Sequence, residues 1–153
     1  MRTPSRLDEL GIPHFAVRPE RIDDVRRMVE DLGRITGRDR QADSAIATID
    51  DTLDRIRRAV EGRPRPAVAF LLDGTPPWAA GGGTFIHELI TAAGGRNVFR
   101  DLSRPYAPVS PEELIARDMD LVLTPAGGRP GGLPAGMRLV EVPPAIQLPG
   151  PGL

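Results

Sequence analysis

Residues 65–125 read RPAVAFLLDGTPPWAAGGGTFIHELITAAGGRNVFRDLSRPYAPVSPEELIARDMDLVLTP, and this stretch decides the fold of the chain. Its apolar run Ala67 to Leu72 is short and is bounded by Pro66 and by Asp73-Gly74. This pattern is typical of a strand that is buried on both faces. A second apolar run, Leu121 to Leu123, predicts another buried strand near the end of the stretch.

Two helix signals lie between these strands. A loop rich in Gly and Pro precedes the first helix, Thr84 to Ala93, and Gly94-Gly95 closes it. The second helix begins at Ser110-Pro111, where Ser110 is the predicted N-cap and Glu113 completes a capping box. The order strand, helix, helix, strand indicates a parallel α/β lobe with ligand-accessible loops at the strand ends.

Amphipathic helices precede this lobe. Apolar residues at intervals of three and four predict one helix from Glu20 to Thr36 and a second from Arg38 to Glu61. At 1.5 Å per residue the second helix is about 35 Å long, enough to bridge two lobes. The same pattern also fits a coiled-coil arm or an ordinary surface helix. Outside these helices, short strands are predicted at Ile12 to Val17 and at Arg138 to Val142.

The composition narrows the classes of function. The net charge is −1, so no surface for nucleic acid or anionic membrane is indicated. All 20 basic residues are Arg, and the absence of Lys excludes a Walker A phosphate loop and a Schiff-base lysine. The absence of Cys excludes a thiolate nucleophile and Cys-based metal sites.

The remaining candidates for chemistry are few. His14 and His87 are the only histidines and are far apart in sequence, which is a poor basis for a metal site. His87 is predicted to face outward beside Glu88. Asp73 and Glu88 could act as acid and base, but nothing supplies a nucleophile or an oxyanion site. We therefore predict no catalytic residue, no metal, no cofactor and no enzyme activity.

Several short motifs follow one another along the chain. They are Leu10-Gly11-Ile12-Pro13, Leu32-Gly33 with Thr36-Gly37, Ala80-Gly81 with Thr84-Phe85-Ile86, Ala93-Gly94-Gly95-Arg96-Asn97-Val98-Phe99, and Val109-Ser110-Pro111-Glu112. Each motif is weak alone. In their order and spacing they resemble the substrate-binding proteins of ABC importers for vitamin B12, haem and iron–siderophores. Proteins of that family have two α/β lobes joined by a single long helix.

The resemblance implies a partial class III periplasmic-binding-protein fold, in which a long connecting helix precedes a three-layer α/β lobe with a parallel sheet. Residues 1–19 are then the last strand of an otherwise missing first lobe, and 20–61 are the connecting helices. Residues 62–66 form a linker, and 67–153 form the second lobe, truncated at its end. The unpartnered strand at Ile12 to Val17 further predicts a homodimer or a swapped assembly.

Four residues are predicted to bind the ligand, namely Trp78, Gly82, Gly83 and Tyr106. Trp78 lies in a predicted loop, where it either covers local hydrophobic residues or forms a platform for the ligand. Gly82 and Gly83 precede the helix capped by Thr84, so they either allow a tight turn or bring backbone groups to a ligand. The resemblance implies that Tyr106 contacts the ligand. The alternative for Tyr106 is packing on the neighbouring loop prolines.

Glu112 is a candidate for contact with a partner protein. It lies at the second position of the helix that begins after Ser110, and the capping box does not require it. A carboxylate there interacts favourably with the helix dipole. The resemblance implies a second role, docking onto arginines of the membrane permease.

The leading prediction for function is the substrate-binding component, or a fragment of it, of an ABC importer for a metal-chelate ligand. Cobalamin, haem and ferric siderophores all fit, and the motifs do not discriminate among them. The location would be extracytoplasmic, periplasmic or as a cell-surface lipoprotein, although the polar start Met1 to Glu9 lacks the apolar core of a signal peptide. The alternative is an α/β protein-interaction domain, either monomeric or dimeric, without a role in transport.

Overall fold

The computed structural model of this chain describes residues 3–143, of which residues 3–5 are described by their backbone alone. Residues 1–2 of the predicted segment 1–19 and residues 144–153 of the predicted segment 67–153 lie outside the described residues. The helices and strands, in chain order, are α1 Thr3–Glu9, α2 Ile22–Thr36, α3 Asp39–Val60, β1 Ala67–Leu72, β2 Trp78–Ala80, α4 Phe85–Ala92, β3 Arg96–Asn97, β4 Tyr106–Pro108, α5 Pro111–Ala116, β5 Leu121–Pro125 and β6 Leu139–Val142.

The strands form one mixed sheet in the order β4-β2-β1-β5-β6. β5 and β6 run parallel to β1, as the two buried apolar runs predict. The other edge of β1 is shared between two partners. Its first half pairs in parallel with β3, through Ala67 and Val68, and its second half pairs antiparallel with β2, through Leu71 and Leu72. The expectation of a parallel sheet therefore holds for the centre, but β2 and β4 are antiparallel additions.

The side chains of β1 alternate between two hydrophobic clusters, one on each face of the sheet. Ala69 and Leu71 pack with Leu114 of α5, while Val68 and Phe70 pack with Ile86 of α4. Because successive residues of a strand point to opposite faces, α4 and α5 lie on opposite sides of the sheet. The predicted three-layer arrangement is confirmed.

The two long helices form an antiparallel hairpin ahead of the sheet. The turn is sharp because Gly37 adopts a left-handed conformation (φ 66°) and closes α2. Arg26 of α2 donates a hydrogen bond of 2.9 Å to Asp50 of α3. With 22 residues, α3 is about 33 Å long, close to the predicted length. Of the three interpretations of this helix, the coiled-coil arm is not what forms, since α3 pairs with α2 inside the same chain.

The start of the chain differs from the prediction of a strand at Ile12 to Val17. The structure has helix α1 followed by an irregular segment, and no strand is assigned before Ala67 in the described residues. Residues 13–19 make no described hydrogen bond to another backbone group. Ile12, Phe15 and Val17 are exposed. A strand requires a neighbouring strand to complete its hydrogen bonds, and the described part of this chain offers none here.

No helix within residues 3–143 is both long and apolar enough to cross a membrane.

Candidate functional site

Trp78 and Tyr106 lie on neighbouring strands, whereas the sequence predicted both of them in loops. Trp78 opens β2 and Tyr106 opens β4, and these strands pair antiparallel with Trp78 opposite Pro108 and Ala80 opposite Tyr106. Residues at such diagonal positions share a face of the sheet, about 7–8 Å apart. The two aromatic residues singled out from the sequence are thus brought together.

The face that carries them is the one covered by α4. Tyr106 is half-buried against the cluster that contains Ala80 and Phe85. Trp78 is 43% exposed and stands opposite Leu72, at the carboxyl end of β1. In open α/β sheets, ligands bind outside the carboxyl ends of the parallel strands. An exposed indole at that end is therefore available to a ligand.

In the glycine loop between β2 and α4, residues 81–83, the glycines differ in how much space surrounds them. A Cβ on Gly82 would collide with the carbonyl oxygen of Arg100, so packing alone explains this glycine. Gly83 is exposed, and a Cβ there would find only a Pro105 side-chain atom, at 4.0 Å. Thr84 is the N-cap of α4 as predicted, since its hydroxyl accepts a hydrogen bond of 3.1 Å from the His87 amide. Only Gly83 combines exposure with free space.

The surroundings of Tyr106 raise the pKa of its hydroxyl above its usual value. Burial raises the pKa of Tyr106, and the nearby Glu20 carboxylate raises it further. At neutral pH the hydroxyl can therefore donate a hydrogen bond. Glu20 itself is exposed and has no ion pair within residues 3–143.

Glu88 of α4 was not recognised from the sequence as a contact residue. Its Oε2 accepts a hydrogen bond of 2.7 Å from the Ile22 amide, and its Oε1 accepts one of 2.9 Å from Nε of Arg21. These partners lie 66 and 67 positions away, so no local pattern could reveal them. The neighbouring His87 also differs from expectation, because its Nδ1 is buried and has no hydrogen-bond partner among the described atoms.

Glu112 occupies the exposed first turn of α5. The capping box forms as predicted, since the Glu113 amide donates to Oγ of Ser110 at 3.2 Å and the Ser110 amide donates to the Glu113 carboxylate at 2.9 Å. Glu112 takes no part in that exchange. Its own backbone N–H and the Ser110 hydroxyl lower the pKa of Glu112, so its carboxylate is ionised at neutral pH. One turn further on, Ile115 is 71% exposed.

A surface cleft of about 270 Å³ lies near the opposite ends of the parallel strands, away from Trp78. It is lined by Arg96, Val98, Arg100, Asp101, Arg117 and Asp118. Arg117 is already occupied, because it binds both carboxylate oxygens of Asp101, at 2.7 and 3.0 Å, and lies over the ring of Phe99. Among residues 3–143 no group of His, Asp and Glu side chains could hold a metal ion.

The chain is similar to proteins of one known family. A family model described as "Periplasmic binding protein" matches residues 2–131. The chain belongs to the periplasmic binding protein family. Members of this family are extracytoplasmic binding proteins of transport systems. The family resemblance that the motifs suggested is confirmed, and so is the α/β fold class.

Three relatives show the extent of the similarity. A cobalamin-binding protein of Halobacterium salinarum is 35% identical in an alignment 131 residues long, which covers 80% of this chain and 34% of that protein. A vitamin B12-binding protein of Yersinia pestis is 28% identical, over 80% of this chain and 44% of that protein. The periplasmic haem-binding protein RhuT of Roseiflexus sp. RS-1 has a TM-score of 0.71 and 26% identity, over 83% of this chain and 50% of that one. The chain thus spans half or less of the length of these periplasmic binding proteins.

Proposed function

We propose that this chain is the second lobe and connecting helix of the substrate-binding component of an ABC importer, and that the ligand is a metal chelate. Membership of the periplasmic binding protein family supports binding in place of catalysis. The single observation that carries the ligand proposal is that Trp78 and Tyr106 are diagonal neighbours on one face of the sheet, with the indole of Trp78 exposed. Two aromatic surfaces side by side suit a flat macrocycle or an aromatic chelator.

Each proposed ligand-binding residue would make a different kind of contact. Trp78 offers an exposed indole for stacking, and Tyr106 offers a protonated hydroxyl next to it. Gly83 would allow close backbone approach, because its surroundings hold room for more than a hydrogen atom. Gly82, the fourth predicted residue, would contribute only by holding the loop, since packing against Arg100 already accounts for it.

Among metal chelates, cobalamin is the first choice. The relatives with the highest identity quoted above are described as binding cobalamin or vitamin B12. Haem and ferric siderophores are the alternatives, supported by the solved structures of a haem-binding protein and of an Fe3+-hydroxamate transport protein from Saccharomonospora viridis.

The partner in transport would be the ABC permease, with Glu112 as a docking residue. Glu112 is exposed, ionised and outside the capping box, so it is free to accept charge-assisted hydrogen bonds from arginines of a permease. The exposed residues Ile12, Phe15 and Val17 support the accompanying proposal of a homodimer or swapped assembly of the chain by itself.

The test is calorimetric titration with cyanocobalamin, haemin and a ferric hydroxamate. The chain alone offers one side of a site, so we expect weak binding of one of the three. Joining the first lobe of the Halobacterium salinarum relative to its start should tighten binding of the same ligand by at least about tenfold. Tyr106→Ala should weaken binding in the joined protein, and Ser103→Ala, an exposed position outside the strands, serves as the control. No binding of any of the three by either protein would overturn the proposal.

A further inference from the structure

The segment that leads into α2 is fastened to the lobe through Glu88. The side chain of Glu88 is only 24% exposed, and both of its oxygens accept hydrogen bonds from this segment. One oxygen accepts from the amide of Ile22, the first residue of α2, and the other accepts from the guanidinium of Arg21. Charged hydrogen bonds of this kind are stronger than neutral ones.

A third bond, between backbone groups, reinforces the same junction. The amide of Phe85, the first residue of α4, donates to the carbonyl oxygen of Glu20 at 2.5 Å. The first amides of a helix have no partner within the helix, so this bond also satisfies α4. Residues 20–22 are thus held at Phe85 and Glu88, in the first turn of the helix that covers the aromatic face.

Ahead of this junction, little holds the chain in place. Residues 13–19 form no described bond to another backbone group, and the apolar side chains of Phe15 and Val17 are exposed. The direction in which this segment leaves the lobe is therefore set at residues 20–22. That point lies beside Tyr106, because the Glu20 carboxylate is close enough to act on the tyrosine hydroxyl.

We propose that Glu88 is a positioning residue, which fixes the direction of residues 12–20 relative to the face that carries Trp78 and Tyr106. It would touch no ligand itself. Under the proposed function, on which this inference rests, residues 12–20 would leave the lobe from a fixed point beside the ligand face. Loss of Glu88 would leave the lobe folded but its lead segment without a fixed direction.

The absence of Cys allows a direct measurement on the full chain. Spin labels are placed on Phe15→Cys and Ser103→Cys, both at exposed positions, and the distance between them is measured by pulsed electron resonance. Because residues 13–19 are held only through residues 20–22, we expect a distribution of moderate width with a single maximum in the parent chain. Glu88→Ala should lose the single maximum and spread over a wider range, and Glu88→Gln should lie between, because an amide oxygen can still accept from Ile22.

Two controls separate positioning from general loosening of the fold. The pair Ser103→Cys and Arg138→Cys lies within the lobe, so its distribution should not change in Glu88→Ala. Glu112→Gln changes an exposed glutamate far from residues 20–22 in the chain and should leave both pairs unchanged. A Phe15–Ser103 distribution that stays as narrow in Glu88→Ala and Glu88→Gln as in the parent would overturn the proposal.

The measurement contains no ligand, so its outcome is independent of the test of the proposed function. Failure of cyanocobalamin, haemin and the hydroxamate to bind would overturn that function and leave the distances as they are. If Glu88→Ala proves too unstable to label, Arg21→Ala removes one of the two bonds to Glu88 and should broaden the same distribution to a smaller degree.

Discussion

Gly33 and Ala42 meet where α2 crosses α3, so closely that a Cβ added to Gly33 would lie 2.7 Å from the Cβ of Ala42. The motif residue Gly33 is therefore required by helix packing. Gly33→Ala should destabilise the protein by about 1–3 kcal/mol, because the extra methyl group forces the helices apart. Thermal unfolding followed by circular dichroism measures this change. The double variant with Ala42→Gly should recover part of the loss; if it is no more stable than Gly33→Ala alone, the close approach is not the cause.

Gly82 and Gly83 form a matched pair for the glycine loop. Gly82→Ala should lower the melting temperature, since its Cβ would collide with a backbone oxygen that cannot move cheaply. Gly83→Ala should be neutral or stabilising by about 0.4–1 kcal/mol, because the alanine restricts the unfolded chain. Equal melting temperatures for the two variants would contradict this division. If Gly83 approaches the ligand, its variant alone should weaken binding while remaining stable.

Tyr106 is the only tyrosine, so its ionisation can be followed by ultraviolet absorbance. Burial and Glu20 raise its pKa, and the midpoint should therefore lie above 10.0 in the folded protein. Glu20→Gln should lower the midpoint only in part, because burial is the larger cause. The linked stability is present below the unfolded pKa and is lost as pH rises through the folded one. A midpoint that does not move in Glu20→Gln would show that the carboxylate lies elsewhere.

Asp24 gives the opposite dependence on pH. The backbone amides of Arg21 and Glu20 donate to its carboxylate and lower its pKa. A lowered pKa contributes stability that is present above the unfolded value and is lost as pH falls through the folded value. Asp24→Asn should therefore be less stable than the parent at pH 7, and the difference should shrink on acidification below about pH 4. Asp51→Asn, at an exposed position of α3, serves as the control in urea unfolding.

Glu112 and Ser110 separate docking from capping in the first turn of α5. Ser110→Ala should cost about 1 kcal/mol through loss of the N-cap. Glu112→Ala should leave the melting temperature nearly unchanged, yet weaken uptake when tested in a complete transporter. Unchanged uptake in Glu112→Ala would contradict the docking role and leave Glu112 as an ordinary surface charge.

Local sequence patterns predicted the elements whose stability is local. The capping residues Ser110 and Thr84 and the left-handed Gly37 lie at the predicted helix ends, and the apolar run of β1 forms the central strand. Strands β2 and β4 were missed because each has only three residues, and they exist through pairing with β1 and with each other. The strand predicted at Ile12 to Val17 fails for the converse reason, since an apolar run without a partner forms no ladder.

The sequence predicted which residues belong to the candidate site but not how they are arranged in space. Trp78 and Tyr106 were chosen separately, one as a loop aromatic and one from the family resemblance, and only the pairing of β2 with β4 shows that they share a face. Their binding role remains a prediction. Glu88 could not have been found at all, because its partners come from a part of the chain that meets α4 only in the folded protein.

The edge of β1 that is divided between β3 and β2 affects the local opening of the lobe. In backbone pairing the β2–β4 ribbon meets β1 at Leu71 and Leu72, and the side chain of Asn97 in β3 adds one hydrogen bond of 2.9 Å to the Ala80 carbonyl, while the first half of β1 keeps its own partner in β3. The ribbon is therefore tied to β1 by fewer residue pairs than β5 is to its two neighbours. Amide hydrogens of the ribbon should exchange with solvent earlier than those of β5. Trp78 and Tyr106 would move together, because both belong to the ribbon.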